Sequence, residues 1–253
     1  MARNKHRQAP TRTHAPKGTI TLGIPSRGVC DAHFTRTLAE LVMWDRDYGR
    51  RHLHPDQPFI SVIGSTQIIH SRNTIVAKFL AQVDGADWLA FFDDDQVYPK
   101  NILEILTEAA DTTERRIVGV PVWRFNSRNE GPVEVTHNVF DFDASGVFVD
   151  WPDALPDDTV LQVAAIGTGC MMIHRSVLEQ MQQASVEAGT GSRWCWFRHV
   201  VYQPADFAEG EDLNFCRQAW GLGIPVWAVT TVTLGHRKTI TLEGALPEGA
   251  VTI

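Results

Sequence analysis

Three consecutive carboxylates, Asp93, Asp94 and Asp95, are the residues of this sequence whose chemistry is easiest to state. They follow residues 88–92, an apolar and aromatic run that is too short to span a membrane and that predicts a strand buried on both faces. Like charges this close oppose one another's ionisation, so either one carboxyl is protonated or a cation lies among them. Mg²⁺ and Mn²⁺ prefer oxygen ligands and often keep phosphate oxygens of a substrate. The triplet suggests a metal-diphosphate site, the alternative being an acidic turn that caps a helix starting near Pro99.

The triplet lies within an alternation of predicted strands and helices. Short β-type runs predict strands at 19–24, 59–63, 88–92 and 116–122, and apolar residues at helical spacing predict helices at 34–48, 68–83 and 99–110. This order favours a parallel sheet flanked by helices. Such sheets bind ligands at the carboxyl ends of their strands, where the triplet and the loop Pro25-Ser26-Arg27-Gly28 are both expected.

The second half of the chain is less regular. Residues 123–163 are rich in Asn, Asp, Pro and alternating β-type residues, which we interpret as an excursion of strands and loops and not as a second domain. A core strand at 167–173, a helix at 176–188, an aromatic-rich loop at 189–208, a short helix after Asp212 and a strand at 225–229 follow. The sequence therefore predicts a single α/β domain.

Composition excludes several classes of protein. The 253 residues are 43% hydrophobic, which is enough for one substantial core. No apolar run approaches the roughly 20 residues that cross a bilayer, and the basic start is not followed by an apolar signal core. We therefore expect no membrane span and a cytoplasmic protein, in the bacterial host cytoplasm if it is phage-encoded. The four cysteines are scattered, which favours neither a zinc knuckle nor a disulfide framework.

The net charge of −7 is unevenly distributed. Residues 1–17 contain five basic and no acidic residues, so the remainder carries 18 basic against 30 acidic groups. The first 17 residues are predicted to be a disordered basic tail. Because the rest of the chain is acidic, nucleic acid is an unlikely main ligand.

Six segments, taken in order, resemble those of the GT-A glycosyltransferases, in particular family-2-like enzymes that use nucleotide-sugar donors. They are the loop 24–27, the Arg-Asn pair in Ser71-Arg72-Asn73, the Asp-x-Asp motif in 91–95, the glycine-marked segment 167–175, the Glu-Asp motif in Gly210-Glu211-Asp212-Leu213, and Gly235-His236. The segment from the Glu-Asp motif to His236 also resembles the retaining polypeptide N-acetylgalactosaminyltransferases. The resemblance implies a Rossmann-like GT-A fold with a mixed, mostly parallel sheet over 18–240, a donor half to about 122, an acceptor half from about 123, and a C-terminal tail at 241–253.

The resemblance also implies roles for individual residues. Donor contacts are expected from Pro25, Ser26, Arg27, Arg72, Asn73, Asp93, Asp94 and Gly169, metal ligation from Asp93, Asp95 and His236, and base catalysis from Asp212 or, failing that, Glu211. These residue types suit the chemistry. Mn²⁺ or Mg²⁺ would neutralise a departing diphosphate, and a carboxylate would take the proton of an acceptor hydroxyl. A guanidinium can contact phosphate or stack on a base.

Each assignment has a structural alternative. The alternative for Glu211 and Asp212 is that they cap a helix and have no catalytic role. Arg72 and Asn73 could cap or salt-bridge a helix, and His236 could be a satisfied core histidine. Trp194, Trp196 and Phe197 could stack against a sugar or close as a lid, or they could form a small apolar cluster under a loop.

The function expected from the resemblance is metal-dependent transfer of a hexose or N-acetylhexosamine from a nucleotide-diphosphate sugar, with a UDP-sugar favoured, to a hydroxyl on a protein or envelope glycan. Inversion with Asp212 as base is favoured, in a bacterial or bacteriophage setting. Two alternatives stay open. One is a nucleotidyltransferase or phosphohydrolase, which also uses clustered carboxylates and metal, and the other is a non-catalytic, nucleotide-binding GT-A scaffold.

Overall fold

The computed structural model describes residues 18–48, 51–126, 134–151, 154–189, 195–202 and 207–237. The predicted tails at 1–17 and 241–253 lie outside the described residues. In chain order the elements are β1 (Thr19–Ser26), α1 (Ala32–Asp47), β2 (Phe59–Ile63), α2 (Ile68–Gln82), β3 (Ala86–Phe92), β4 (Gln96–Val97), α3 (Ile102–Ala109), β5 (Ile117–Gly119), β6 (Trp123–Asn126), β7 (Glu134–His137), β8 (Val139–Phe142), β9 (Phe148–Asp150), β10 (Val160–Val163), β11 (Ala165–Ile166), β12 (Cys170–His174), α4 (Arg175–Glu187), β13 (Val200–Tyr202), β14 (Phe207–Glu209), α5 (Glu211–Gly221), β15 (Val226–Val229) and β16 (Gly235–His236).

A seven-stranded sheet in the order β10-β15-β5-β12-β3-β1-β2 forms the centre of the fold. The strands β2, β1, β3, β5 and β15 run in one direction, while β12 and β10 run against their neighbours. This confirms the predicted mixed, mostly parallel sheet flanked by helices. Because β12 is antiparallel to β3, its first residue, Cys170, pairs with the last residue of β3, Phe92. The segment that leads into β12 therefore lies at the carboxyl end of β3.

Both faces of the sheet are covered, which explains why β3 is a continuous apolar run. Alternate residues of β3 contribute to two separate clusters, so Leu89 and Phe91 pack with α2, α4 and α5, and Trp88, Ala90 and Phe92 pack with α1 and α3. All five side chains are fully buried. The acidic triplet thus follows a strand that is enclosed by protein on both sides.

The excursion at 123–163 forms small sheets on the edge of this core. The strands β6 and β7 form an antiparallel pair, and β11, β8 and β9 form a three-stranded sheet, while β10 adds to the edge of the central sheet. Described residues of the predicted loop at 189–208 contribute to the antiparallel pair of β13 and β14. In the described part of the chain, no helix is long and apolar enough to cross a membrane.

Candidate functional site

Four elements bring polar side chains to the carboxyl edge of the sheet. The strand β3 ends immediately before Asp93, and α2, packed on β1 and β2, contributes Arg72. The helix α5 begins at Glu211, and β16 contributes His236. Residues from distant parts of the sequence therefore meet where open α/β sheets bind their ligands.

Gly169 and Tyr98 fix the backbone of the acidic triplet. The Asp93 N–H donates to the Gly169 carbonyl over 3.0 Å, and the Tyr98 hydroxyl lies 2.8 Å from the same oxygen. A Cβ atom on Gly169 would lie 1.9 Å from Gln96 Nε2, so only glycine fits without a local shift. Burial raises the pKa of Tyr98 well above its ordinary value, and the hydroxyl therefore stays protonated and able to donate. The predicted position of Gly169 at the site agrees with this geometry, although its expected contact with a donor stays a prediction.

Arg72 links the acidic triplet to the start of α5. Its Nη1 donates to Glu211 Oε1 over 2.7 Å, and its Nη2 lies 3.3 Å from both carboxylate oxygens of Asp93. The Arg72 side chain is only 5% exposed. Burial raises the pKa of Asp93, and the charge of Asp95 adds to this shift while that of Arg72 opposes it. Asp93, predicted as a metal ligand, is therefore engaged by an arginine.

Asp212 lies in the first turn of α5, beside Glu211. Its Oδ1 accepts a hydrogen bond from the Leu213 N–H over 2.9 Å. Burial raises the pKa of Asp212, Arg72 opposes that shift, and the neighbouring charge of Glu211 adds to it. A carboxylate whose pKa is raised is a stronger base than an ordinary aspartate, which suits removal of a proton from a hydroxyl.

His236 and Asp95 face each other at the pair formed by β4 and β16, in which His236 is opposite Gln96. The distance from His236 Nε2 to Asp95 Oδ2 is 3.0 Å, and Nδ1 lies 3.1 Å from the Trp123 carbonyl oxygen. Both contacts need the ring as a donor, because the carbonyl oxygen and the carboxylate can only accept, and a neutral imidazole has one N–H. One ring proton therefore satisfies either the Trp123 or the Asp95 contact, and a cation between Nε2 and Oδ2 would satisfy the Asp95 side while Nδ1 donates to Trp123.

The predicted metal ligands are only partly brought together. Among the described residues, no group of three or more His, Cys, Asp or Glu side chains is close enough to hold a metal ion. Asp95 and His236 meet, while the carboxylate of Asp93 faces Arg72. The donor set that is present, one carboxylate oxygen and one imidazole nitrogen, fits a divalent ion that takes its remaining ligands from substrate and water.

The predicted donor loop at the end of β1 lies on the same edge. Pro25 and Ser26 are buried, and Ser26 Oγ accepts a hydrogen bond from the Gly28 N–H over 3.1 Å. Gly28 has φ +102°, a conformation that glycine adopts readily. Arg27 is exposed. Cys30, also exposed, places its sulfur 3.9 Å from Asp94 Oδ2, so this loop contacts the acidic triplet directly.

Asn73 is buried and holds the segment that contains Phe197. Its Nδ2 donates to the Phe197 carbonyl over 2.8 Å, and its Oδ1 accepts from the Phe197 N–H over 3.1 Å. The Asn73 side chain thus bonds to backbone groups of the Phe197 segment, and its expected contact with a donor stays a prediction. The nearby start of α2 lines a cavity of about 450 Å³, whose described wall consists of Thr66, Gln67, Ile68, Ile69, His70 and Asn73.

Two of the three aromatic residues for which a sugar contact, a lid or an apolar cluster was considered lie in the core. Trp196 and Phe197 are at most 1% exposed, Phe197 stacks on Phe215, and the Trp196 indole N–H donates to the Leu178 carbonyl. Neither ring could stack on a sugar in this arrangement. Trp194 lies outside the described residues.

Sequence reasoning missed Tyr98, Gln96 and the Trp123 carbonyl. A tyrosine soon after the triplet was a visible signal for the first, because a buried tyrosine requires a hydrogen-bond partner. Nothing in the sequence indicated the Trp123 carbonyl, because every residue has a main-chain oxygen.

The comparisons with known proteins concern the fold. No protein-family model matches the sequence, and no curated protein matches it. Among solved structures, A197 from STIV superposes with a TM-score of 0.50 at 17% identity, over 87% of this chain and 86% of that one. GalNAc-T7 with UDP, GalNAc and Mn²⁺ superposes with a TM-score of 0.51 at 12% identity, over 87% of this chain and 44% of that one. With the sheet order described above, these likenesses show that the chain has a GT-A-like glycosyltransferase fold.

Proposed function

We propose that this chain is a metal-dependent glycosyltransferase, which moves a sugar from a nucleotide-diphosphate sugar to a hydroxyl of a protein or glycan. The observation that carries the proposal is the Asp95 and His236 pair, a carboxylate oxygen and an imidazole nitrogen 3.0 Å apart at the carboxyl edge of a GT-A-like sheet. The likeness to GalNAc-T7, which was crystallised with UDP, GalNAc and Mn²⁺, supports a UDP-sugar and a divalent ion.

The residues of the site would have different roles in binding the donor. Asp95 and His236 would hold Mn²⁺ or Mg²⁺, which when bound would neutralise the charge that develops on the departing diphosphate. Arg27, exposed on the loop that contacts the triplet through Cys30, would contact the nucleotide, since a guanidinium can bind phosphate or stack on a base. Asp94 lies against the same loop through Cys30 and would help to shape the donor site.

Asp212 would act as the general base. As the acceptor oxygen forms its bond to the anomeric carbon, the bond from that carbon to the diphosphate oxygen breaks, and the hydroxyl proton passes to Asp212. The raised pKa of Asp212 favours this transfer. Attack from the side opposite the diphosphate would invert the anomeric centre, which is the outcome we favour.

Nucleotide binding tests the proposal directly. We expect UDP, in a panel with GDP, dTDP and CMP, to raise the melting temperature only when Mn²⁺ or Mg²⁺ is present, because a ligand that binds the folded state alone stabilises it. Asp95→Ala and His236→Ala should each abolish the metal-dependent part of this shift.

Asp111→Ala is the matched control, since Asp111 lies between α3 and β5 at the opposite edge of the sheet. It should leave the UDP-induced shift unchanged. Normal metal-dependent binding by the Asp95 and His236 variants would contradict the proposed metal site. No response of the folded wild type to any nucleotide would instead favour the non-catalytic scaffold, and release of phosphate or sugar without an acceptor would favour a hydrolase.

A further inference from the structure

Arg72 joins two carboxylates that belong to different parts of the proposed reaction. Asp93 follows β3 on the donor side, whereas Glu211 opens α5 and adjoins the proposed base, Asp212. Along the sequence, Arg72 is 21 residues from Asp93 and 139 residues from Glu211. One side chain therefore connects α2, the acidic triplet and α5.

The guanidinium is poorly placed to bind a nucleotide. Both of its terminal nitrogens already donate to carboxylates, and its central carbon lies 5.9 Å from the centre of the Phe197 ring. The side chain is 5% exposed. A phosphate group would have to displace a carboxylate from a covered position, so the geometry differs from the donor contact expected for Arg72 from the sequence.

This ion pair joins the start of α5 to α2. The N-cap of α5 is Gly210, which has no side chain to accept from the helix N–H groups. Glu211, the first residue of the helix, is held by Arg72 over 2.7 Å. Asp212 follows immediately, so the Arg72 contact fixes the backbone from which the Asp212 carboxylate projects.

We propose that Arg72 is a positioning residue that holds Asp212 at a fixed place relative to the acidic triplet and does not bind the nucleotide. The role of Asp212 rests on the proposed function. The link between Arg72 and Glu211 does not, and it can be measured without any substrate.

A double-mutant cycle on thermal unfolding tests the link. We expect Arg72→Gln and Glu211→Gln each to lower the melting temperature, because each breaks an ion pair of a guanidinium that is only 5% exposed. The double variant should lose less than the two single losses together. Additive losses would overturn the proposal. If Arg72→Gln does not fold, Arg72→Lys replaces it, because an ammonium keeps the charge but cannot engage both carboxylates with a planar fork.

Kinetics and binding of Arg72→Lys test the positioning role. We expect the affinity for UDP with saturating Mn²⁺ and the KM for the donor to stay close to those of the wild type. The kcat should fall on the order of 10²-fold, as a misplacement of about 1 Å can produce. The opposite split, weaker UDP binding with an unchanged kcat at saturating donor, would show a nucleotide contact and overturn the proposal.

Arg217→Gln provides the matched control. Arg217 on α5 donates through Nε to the buried Glu209 over 2.6 Å, so this variant also removes an ion pair near the start of α5, but one that does not reach Asp93. It should lower the melting temperature with little change in kcat. A wild type that binds no nucleotide would defeat the proposed function while leaving the coupling between Arg72 and Glu211 measurable.

Discussion

At the scale of single residues, Asp212 has conflicting requirements. Burial raises its pKa, so the folded protein favours the protonated carboxyl, whereas a general base must be ionised. A group whose pKa is raised by folding contributes stability below its unfolded pKa, and this contribution is lost as the pH rises through its folded value. At neutral pH the ionised Asp212 therefore lowers the stability of the fold.

Asp212→Asn should accordingly separate rate from stability. We expect the transfer rate to fall by roughly 10²–10⁴-fold, the usual contribution of a general base, with UDP binding nearly unchanged. The melting temperature at pH 7 should rise, since asparagine carries no charge to bury, and this advantage should shrink as the pH falls toward 4. Rate assays and melting curves across pH measure both effects. An unchanged rate would remove Asp212 from the mechanism.

The residue pattern indicated that the acidic triplet needs compensation, but it did not indicate which side chains face each carboxylate. The triplet stood out because three charges at the end of a buried strand require compensation. The pairing of Asp93 with Arg72 and of Asp95 with His236 depends on how α2 and β16 dock onto the sheet. A guanidinium forms the same bonds with a phosphate and with a carboxylate, so the sequence could not distinguish a donor contact from an internal ion pair.

At the scale of elements, the reversed direction of β12 decides what surrounds the triplet. Alternation of side chains has the same period whether a strand runs parallel or antiparallel, so the sequence predicted a core strand here without its direction. The two-residue strands β4 and β16, which place His236, are also too short to produce a pattern. The helices and longer strands, by contrast, lie within a few residues of their predicted positions because their apolar periodicity is strong.

Gly169→Ala tests the fit between β12 and the triplet. The new Cβ would meet Gln96 Nε2 at 1.9 Å and Asp93 Oδ2 at 3.1 Å, so we expect a loss of about 1–3 kcal/mol in unfolding free energy. Weaker metal-dependent UDP binding should accompany it. Gly221→Ala is the control, because a Cβ there meets nothing within 4 Å, and it should change stability by no more than about 0.5 kcal/mol. Denaturant melts of both variants measure the difference, and equal stability would mean that the site relaxes around the extra methyl group.

At the scale of the whole molecule, the donor and acceptor halves predicted from the sequence are interleaved in one sheet. The strand β12 comes from the second half but lies between β3 and β5 of the first, and β15 covers the other side of β5. The predicted boundary near 122 does not divide the hydrophobic core, because both clusters contain residues from both halves.

A fragment of residues 18–122 should therefore fail to fold alone. Without β12, the strand β3 would expose one edge and β5 would lose both of its neighbours in the sheet. We expect the fragment to show no cooperative thermal transition, whereas the full chain should show one. Circular dichroism melts make the comparison, and a cooperative transition in the fragment would indicate that the halves are independent domains.

The exposure of Cys30 has a practical consequence. The other three cysteines are buried, and burial raises the pKa of each, that of Cys216 to about 12. Thiolate is the reactive form, so alkylating reagents should modify Cys30 selectively in the folded protein. A fluorophore attached there would lie beside Asp94 without any engineered cysteine. The native chain thus contains its own attachment point for a spectroscopic reporter on the loop that follows β1.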